Sequence, residues 1–241
     1  MDFVWLAAAL FLVAVLYSSV GHAGASGYIA VLALSGLSVE VIRPTALTLN
    51  VMVAFIGTYQ FWRAGHFRWS LFWPLALLAV PAAFLGGWIQ LPSAVLRVLI
   101  GLVLWFSVVR LFARGEDPVD PKPPRRSTAM FCGAGLGFLA GLTGTGGGIF
   151  LTPLMLLGRW ARMRQVAAVS VAFIFFNSAA GLAGYLGSGR AFPEMAWSFL
   201  AVVALGGFLG SRLGSRYLPV PWIMRALAVV LLLAGAKLIF G

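Results

Sequence analysis

The sequence predicts an all-α integral membrane protein of two tandem, inverted repeats, and three observations carry the prediction. First, 61% of its 241 residues are hydrophobic and only 10% are charged, against roughly 45–50% and 25% in soluble domains. Such a chain cannot cover a water-facing surface. Second, its apolar residues form runs too continuous for the ten-residue alternation of a membrane barrel, which leaves helices as the spanning element. Third, five apolar runs, one polar linker and five more runs follow one another with matching landmarks.

The first run, 3–20, imitates a secretory signal in "MDFVWLAAALFLVAVLYSSVGHAGA". Its leading residues carry Asp2 and no Lys or Arg, whereas a signal's first region is positive, so the segment is read as retained. The second run, 28–37, holds ten residues, about 15 Å of helix, half of a hydrocarbon core of roughly 30 Å. Runs at 44–62, 70–89 and 94–112 are long enough to cross. The polar stretch "FARGEDPVDPKPPRRS" then reads as an exposed linker. Runs resume at 128–142, 149–158, 166–186, 195–211 and 220–239, the second again short.

The halves align by their landmarks. "VGHAGASGYIAVLAL" faces "TGTGGGIFLTPLML", "WRAGHF" faces "LGSGRAF" with Gly65 opposite Gly189, and "FLGGWI" faces "FLGSRL". "PTALTLN" faces "VAAVSVAF", with Thr48 opposite Ser170. Residues 1–112 are therefore the first transmembrane repeat, 113–127 a cytoplasmic linker and 128–241 the second repeat. Each repeat is read as a broken-helix hairpin with a glycine-rich tip plus three transmembrane helices. The linker basics Arg114, Lys122, Arg125 and Arg126 set the orientation, because Lys and Arg collect on the cytoplasmic side. Three crossings per half then place Arg63, Arg68, "RWARMR", Arg212 and Arg216 inside. Arg43 and Arg190 fall outside, with Arg97 and Lys237 near the outer face. An odd number of crossings inverts one half relative to the other. A parallel four-plus-four arrangement would expose "RWARMR" outside and is the weaker alternative. Full crossing by the short runs would leave the charges on the same sides.

The net charge of +11 follows from this loop pattern and gives no reason to expect a nucleic-acid partner. Cys132 is the single cysteine, which excludes an intrachain disulfide and argues against a thiolate metal site. No metal, no cofactor and no nucleotide-binding motif is expected. An enzyme would need an acid–base pair, a nucleophile with a partner or a ligand cluster, and none lies within the apolar runs.

The chemistry is expected at "GLTGTGGGIFLTPLMLL". Irregular backbone at membrane depth is tolerated where protein or a water-filled cavity surrounds it. A short helix opening near Gly148 presents free N–H groups and the positive end of its dipole, an anion site without a charged side chain. Thr143, Thr145, Gly146, Gly147 and Gly148 are the substrate-binding candidates there, with Ser26 and Gly27 in the equivalent place of the first half. Asn50 and Asn177 are further candidates within long runs; Ser170 shares a helical face with Asn177. His22 is the candidate for a coupled proton. The alternative for the glycines is close helix packing, which is the role expected of Gly133, Gly135, Gly137 and Gly141. The six acidic residues all lie outside the middle of a run. Cation carriers commonly hold an embedded carboxylate, so the expected substrate is an anion.

These residues resemble the sulfite exporter TauE/SafE family, also called the TSUP transporters, through the tandem halves, the glycine-rich second-half loop and the "AAVSV" stretch after it. The first half departs from that pattern: "VGHAGASG" holds His22, Ala25 and Ser26 in place of consecutive glycines. The resemblance implies seven or eight transmembrane helices. It also implies export, or in some members import, of small sulfur-containing anions such as sulfite or organosulfonates across the bacterial inner membrane. The expectation is a secondary transporter working by alternating access at a midplane site formed by the two loops. An anion channel and a non-transporting membrane assembly factor are the alternatives. Its partners are the small anion and the lipid bilayer, and a homodimer is compatible with the sequence.

Overall fold

The computed structural model describes residues 3–112, 120–216 and 221–240, with side chains described outside 110–112, 216, 221–227 and 230. Residues 113–119 of the predicted linker, with Arg114, and the side chain of Arg216 lie outside that set. Among the described residues there are ten helices and no strand. They are α1 (Phe3–Ser19), α2 (Ala25–Leu34), α3 (Val39–Arg63), α4 (Trp69–Trp88), α5 (Ser93–Phe112), α6 (Arg126–Thr143), α7 (Gly148–Leu157), α8 (Met163–Gly187), α9 (Met195–Arg216) and α10 (Pro221–Phe240). Of these, α3, α4, α8 and α9 are long and apolar enough to cross a bilayer. Large apolar side chains such as Trp5, Phe55, Phe131 and Val109 point outward, as a lipid solvent allows. The chain is a multi-pass, all-α membrane protein.

The helices meet the sequence expectation closely, with one informative difference. The third run was expected from Pro44, but α3 begins at Val39, with extended Ser38 before it. Pro44 therefore sits in the second turn. It has no N–H for the carbonyl of Glu40 four residues back, and the Tyr185 hydroxyl donates to that oxygen at 3.4 Å. Arg43 thereby becomes a helical residue facing the protein interior, where it is 1% exposed.

At the centre α3 and α8 cross antiparallel. Glu40 meets Tyr185 and Asn50 meets Ser178. Gly57 packs on Val171, and Leu47 lies near Gly181. Around this pair, α6 runs parallel to α4 and α1 runs parallel to α9. Both contacts use a glycine every fourth residue. A Cβ on Gly133, Gly137 or Gly141 would lie 2.0–2.2 Å from the carbonyl oxygens of Leu75, Ala79 or Ala83. On α9, Gly210 and Gly214 approach the carbonyls of Val15 and Ser19 in the same way. Three of the four glycines expected to pack do so. Gly135 meets nothing within 4 Å, because it lies two residues, about 200°, off the stripe.

Contacts at the helix ends define two faces. On one, Ser93 of α5 donates to Glu40, Arg190 reaches the end of α4, and Lys237 of α10 donates to the Leu34 carbonyl. On the other, Arg68 lies 3.0 Å from the Gln165 carboxamide, Arg126 stacks on Trp73, and the Lys122 N–H donates to the Arg159 carbonyl. The α6–α7 hairpin thus starts and ends on the linker face. The α1–α2 hairpin ends on the Arg190 face, where Phe3 also stacks on Phe199 near the start of α9. Positive φ occurs at Gly21, Gly24, Gly36 and Gly65, and at Gly144, Gly146, Gly147, Arg159 and Gly189.

Candidate functional site

The second hairpin turns on "TGTGGG". Gly144 (φ 82°) ends α6 and Gly147 (φ 82°) precedes α7. Both conformations strain any residue that carries a Cβ. No side chain caps the N-terminus of α7, so its first N–H groups remain for other partners. Thr143 donates to the Leu139 carbonyl at 2.7 Å and pairs with Thr145 at 2.9 Å through their hydroxyls. Both are buried.

This tip is wedged between α3 and α8. A Cβ at Gly146 would fall 2.4 Å from Asn50 Nδ2 and 2.7 Å from Ser178 Oγ; one at Gly148 would strike Ile174, and one at Gly147 would press on Phe173. Asn50 Nδ2 donates to Ser178 Oγ at 2.8 Å. Asn50 Oδ1 and both amide atoms of Asn177 are buried without a hydrogen-bond partner among the described residues. An unsatisfied buried polar group costs about 1–3 kcal/mol, and Asn50 Oδ1 is such an atom on a residue that touches the tip. Ser170 and Thr152 instead bond each other at 2.9 Å, and Thr48 bonds the Pro44 carbonyl at 2.9 Å.

The first hairpin is organised differently. Ser26 donates to the Tyr17 hydroxyl at 3.0 Å, and Gly27 is pressed against Val13 and Tyr17 of α1. Tyr28 donates to the Ala23 carbonyl. Gly21 abuts Ala167, in the second turn of α8. His22 is half-buried, with Nδ1 3.2 Å from the Val20 carbonyl. The structure therefore brings Gly146, Gly148 and Asn50 together, with Thr143, Thr145 and Gly147 in the same tip. It packs Ser26 and Gly27, both in α2, against α1.

Three nearby residues escaped sequence reasoning. Ser178 follows Asn177 directly and completes the Asn50 contact. Arg43 had served only as a charge marker for topology, yet its guanidinium is buried. It donates to the carbonyls of Gly86 (2.7 Å), Gly87 (3.0 Å) and Gly141 (2.8 Å). Tyr185 lies under Arg190, with the guanidinium carbon 4.0 Å from the ring centroid. Partial burial lowers the Arg190 pKa, with Tyr185 opposing. The signal for Arg43 was a basic residue directly before a proline that a helix can hold in its opening turns.

The arrangement presents neutral donors and helix N-terminal amides deep in an apolar bundle. No cluster of three or more His, Cys, Asp or Glu that could hold a metal occurs among the described residues. The family description "Sulfite exporter TauE/SafE" matches residues 6–238. The chain is 42% identical over 241 residues to the probable membrane transporter protein y4hK of Sinorhizobium fredii (strain NBRC 101917 / NGR234), an alignment covering 98% of this chain and 97% of that protein. It is 25% identical over 146 residues to the probable membrane transporter protein MJ0441 of Methanocaldococcus jannaschii, covering 59% and 54%. No solved structure matches.

Proposed function

The chain belongs to the sulfite exporter TauE/SafE family, and from that premise we propose that it is a secondary transporter exporting a small sulfur-containing anion, such as sulfite or an organosulfonate, across the bacterial inner membrane. The observation that carries the reading is the second tip. An uncapped helix N-terminus lies beside the carboxamide of Asn50, whose Oδ1 is buried and unpartnered among the described residues. N–H groups and the positive end of a helix dipole bind anions. The two halves act as inverted repeats whose hairpins enter from opposite faces. Alternating access is the rocking of one repeat against the other about the α3–α8 crossing. The linker face is cytoplasmic, because Lys122, Arg125, Arg159, Arg162 and Arg164 gather there. His22 carries the coupled proton.

The test is flux into proteoliposomes of sulfite, thiosulfate, sulfoacetate and a carboxylate control, with and without a pH gradient. Saturable flux of a sulfur anion that responds to the gradient is expected. Flux of the carboxylate alone, or of nothing, contradicts the substrate class.

A further inference from the structure

Two arginines converge on one carbonyl. Arg43 Nη2 and Arg190 Nη2 both donate to the Gly87 oxygen. The Tyr185 ring lies beside both guanidiniums, whose central carbons are 5.9 Å and 4.0 Å from its centroid. Among the described residues neither arginine is ion-paired. Arg43 meets only the last carbonyls of α4 and α6, and Arg190 meets Ser188, Gly87 and Trp88. Capping explains one arginine, since helix C-terminal carbonyls lack partners and carry roughly half a negative charge per terminus. It does not explain a second cation on the same oxygen, where like charges repel strongly away from bulk water. Two guanidiniums held together without a carboxylate await a negative charge from elsewhere.

The direction of the pair matters. Arg190 stands in the partly exposed loop between α8 and α9, whereas Arg43 is buried. Arg43 also touches the second tip: a Cβ on Gly144 would lie 3.1 Å from Arg43 Cγ. Arg43 and Asn50, seven residues apart, share one face of α3, and Gly144 and Gly146 lie along that face beside them. Among the described residues, all four hydrogen bonds of Arg43 leave from Nε and Nη2, so Nη1 remains for a ligand.

We propose that Arg190 and Arg43 are successive binding positions for a small oxyanion on a path between the Arg190 face and the second tip, with Tyr185 as the partition between them. Arg190 holds the anion at the face. Arg43 compensates its charge inside the bundle and hands it to the tip amides and Asn50. The guanidinium suits this task because its fork matches two oxygens of a sulfite or sulfonate group. The proposal rests on the transport reading above.

The experiment is sulfite flux in proteoliposomes at low and high ionic strength, for the wild type, Arg190→Gln, Arg43→Lys and Arg43→Gln, each checked for thermal unfolding in detergent. Arg190→Gln should raise KM about tenfold with little change in maximal rate, as expected for one charge-assisted contact. It should also flatten the salt dependence of KM, which a purely structural residue would not alter. Arg43→Gln should lose nearly all flux while melting like the wild type, and Arg43→Lys should recover part of it. Native KM and salt dependence in Arg190→Gln overturns the path, and that variant decides the matter alone should Arg43→Gln fail to fold. Native flux in a folded Arg43→Gln overturns it equally. Wild-type sulfite flux with indifferent variants leaves the transport function standing and removes only the arginines. No wild-type flux of sulfite, thiosulfate or sulfoacetate removes both.

Discussion

Asn177 sits at 1% exposure with neither amide atom bonded among the described residues. If folding were its purpose, a bonded or apolar residue would serve better, because an unpaired buried polar group is destabilising. Asn177→Val should therefore leave the melting temperature unchanged or raise it while flux falls at least about tenfold, the loss expected of a hydrogen bond to a charged ligand. A thermal melt and a flux assay on the same preparation check both halves; lost stability with normal flux would make Asn177 structural. At this scale the sequence was legible wherever a polar residue interrupts an apolar run, which is why Asn50, Asn177 and the threonines of the tip stood out. Arg43 did not, because a basic residue beside a proline reads as a loop until the helix is seen to begin at Val39. Ser26 lies in α2, where its hydroxyl donates to that of Tyr17 on α1, a neighbour that the sequence did not name.

The helices themselves were readable because lipid removes the alternatives. An apolar run with no water to bond its backbone must be a helix, and its length decides whether it spans. Ten residues gave a run too short to cross, and α2 and α7 each have ten residues. The glycine stripes were readable in part: spacing by four on α6 announces a contact face, but the partner helix does not follow from sequence. In the absence of a hydrophobic drive between helices in lipid, small residues set the approach. Gly137 lets α6 approach so closely that a Cβ there would stand 2.2 Å from the Ala79 oxygen. Gly137→Leu should destabilise the fold by about 1–3 kcal/mol or more, the usual cost of overpacking. Gly135→Leu, facing open space, should be tolerated. Thermal unfolding of the two variants in detergent separates them, and equal melting temperatures would refute the α4–α6 contact.

For the whole molecule, a tandem duplication is expected from four landmarks in one order, and the charges suggested which loops share a face. The packing of α6 on α4 and of α1 on α9 was not visible, since it depends on how helices far apart in the chain interlock. The orientation can be read with thiol labelling in a Cys132→Ser background. A cysteine replacing exposed Asp120 should react only from the cytoplasmic side, and one replacing exposed Glu194 only from the other. Labelling of both from one side would contradict the two-faced arrangement. The claim on which the rest depends is that a sulfur anion crosses through the second tip. Its most direct measurement is the uptake of radiolabelled sulfite by vesicles holding equal amounts of the folded wild type and Gly147→Leu, a substitution at a left-handed backbone position beside Phe173. The account predicts saturable uptake by the wild type and none above protein-free vesicles for the variant. Equal uptake by both would contradict it.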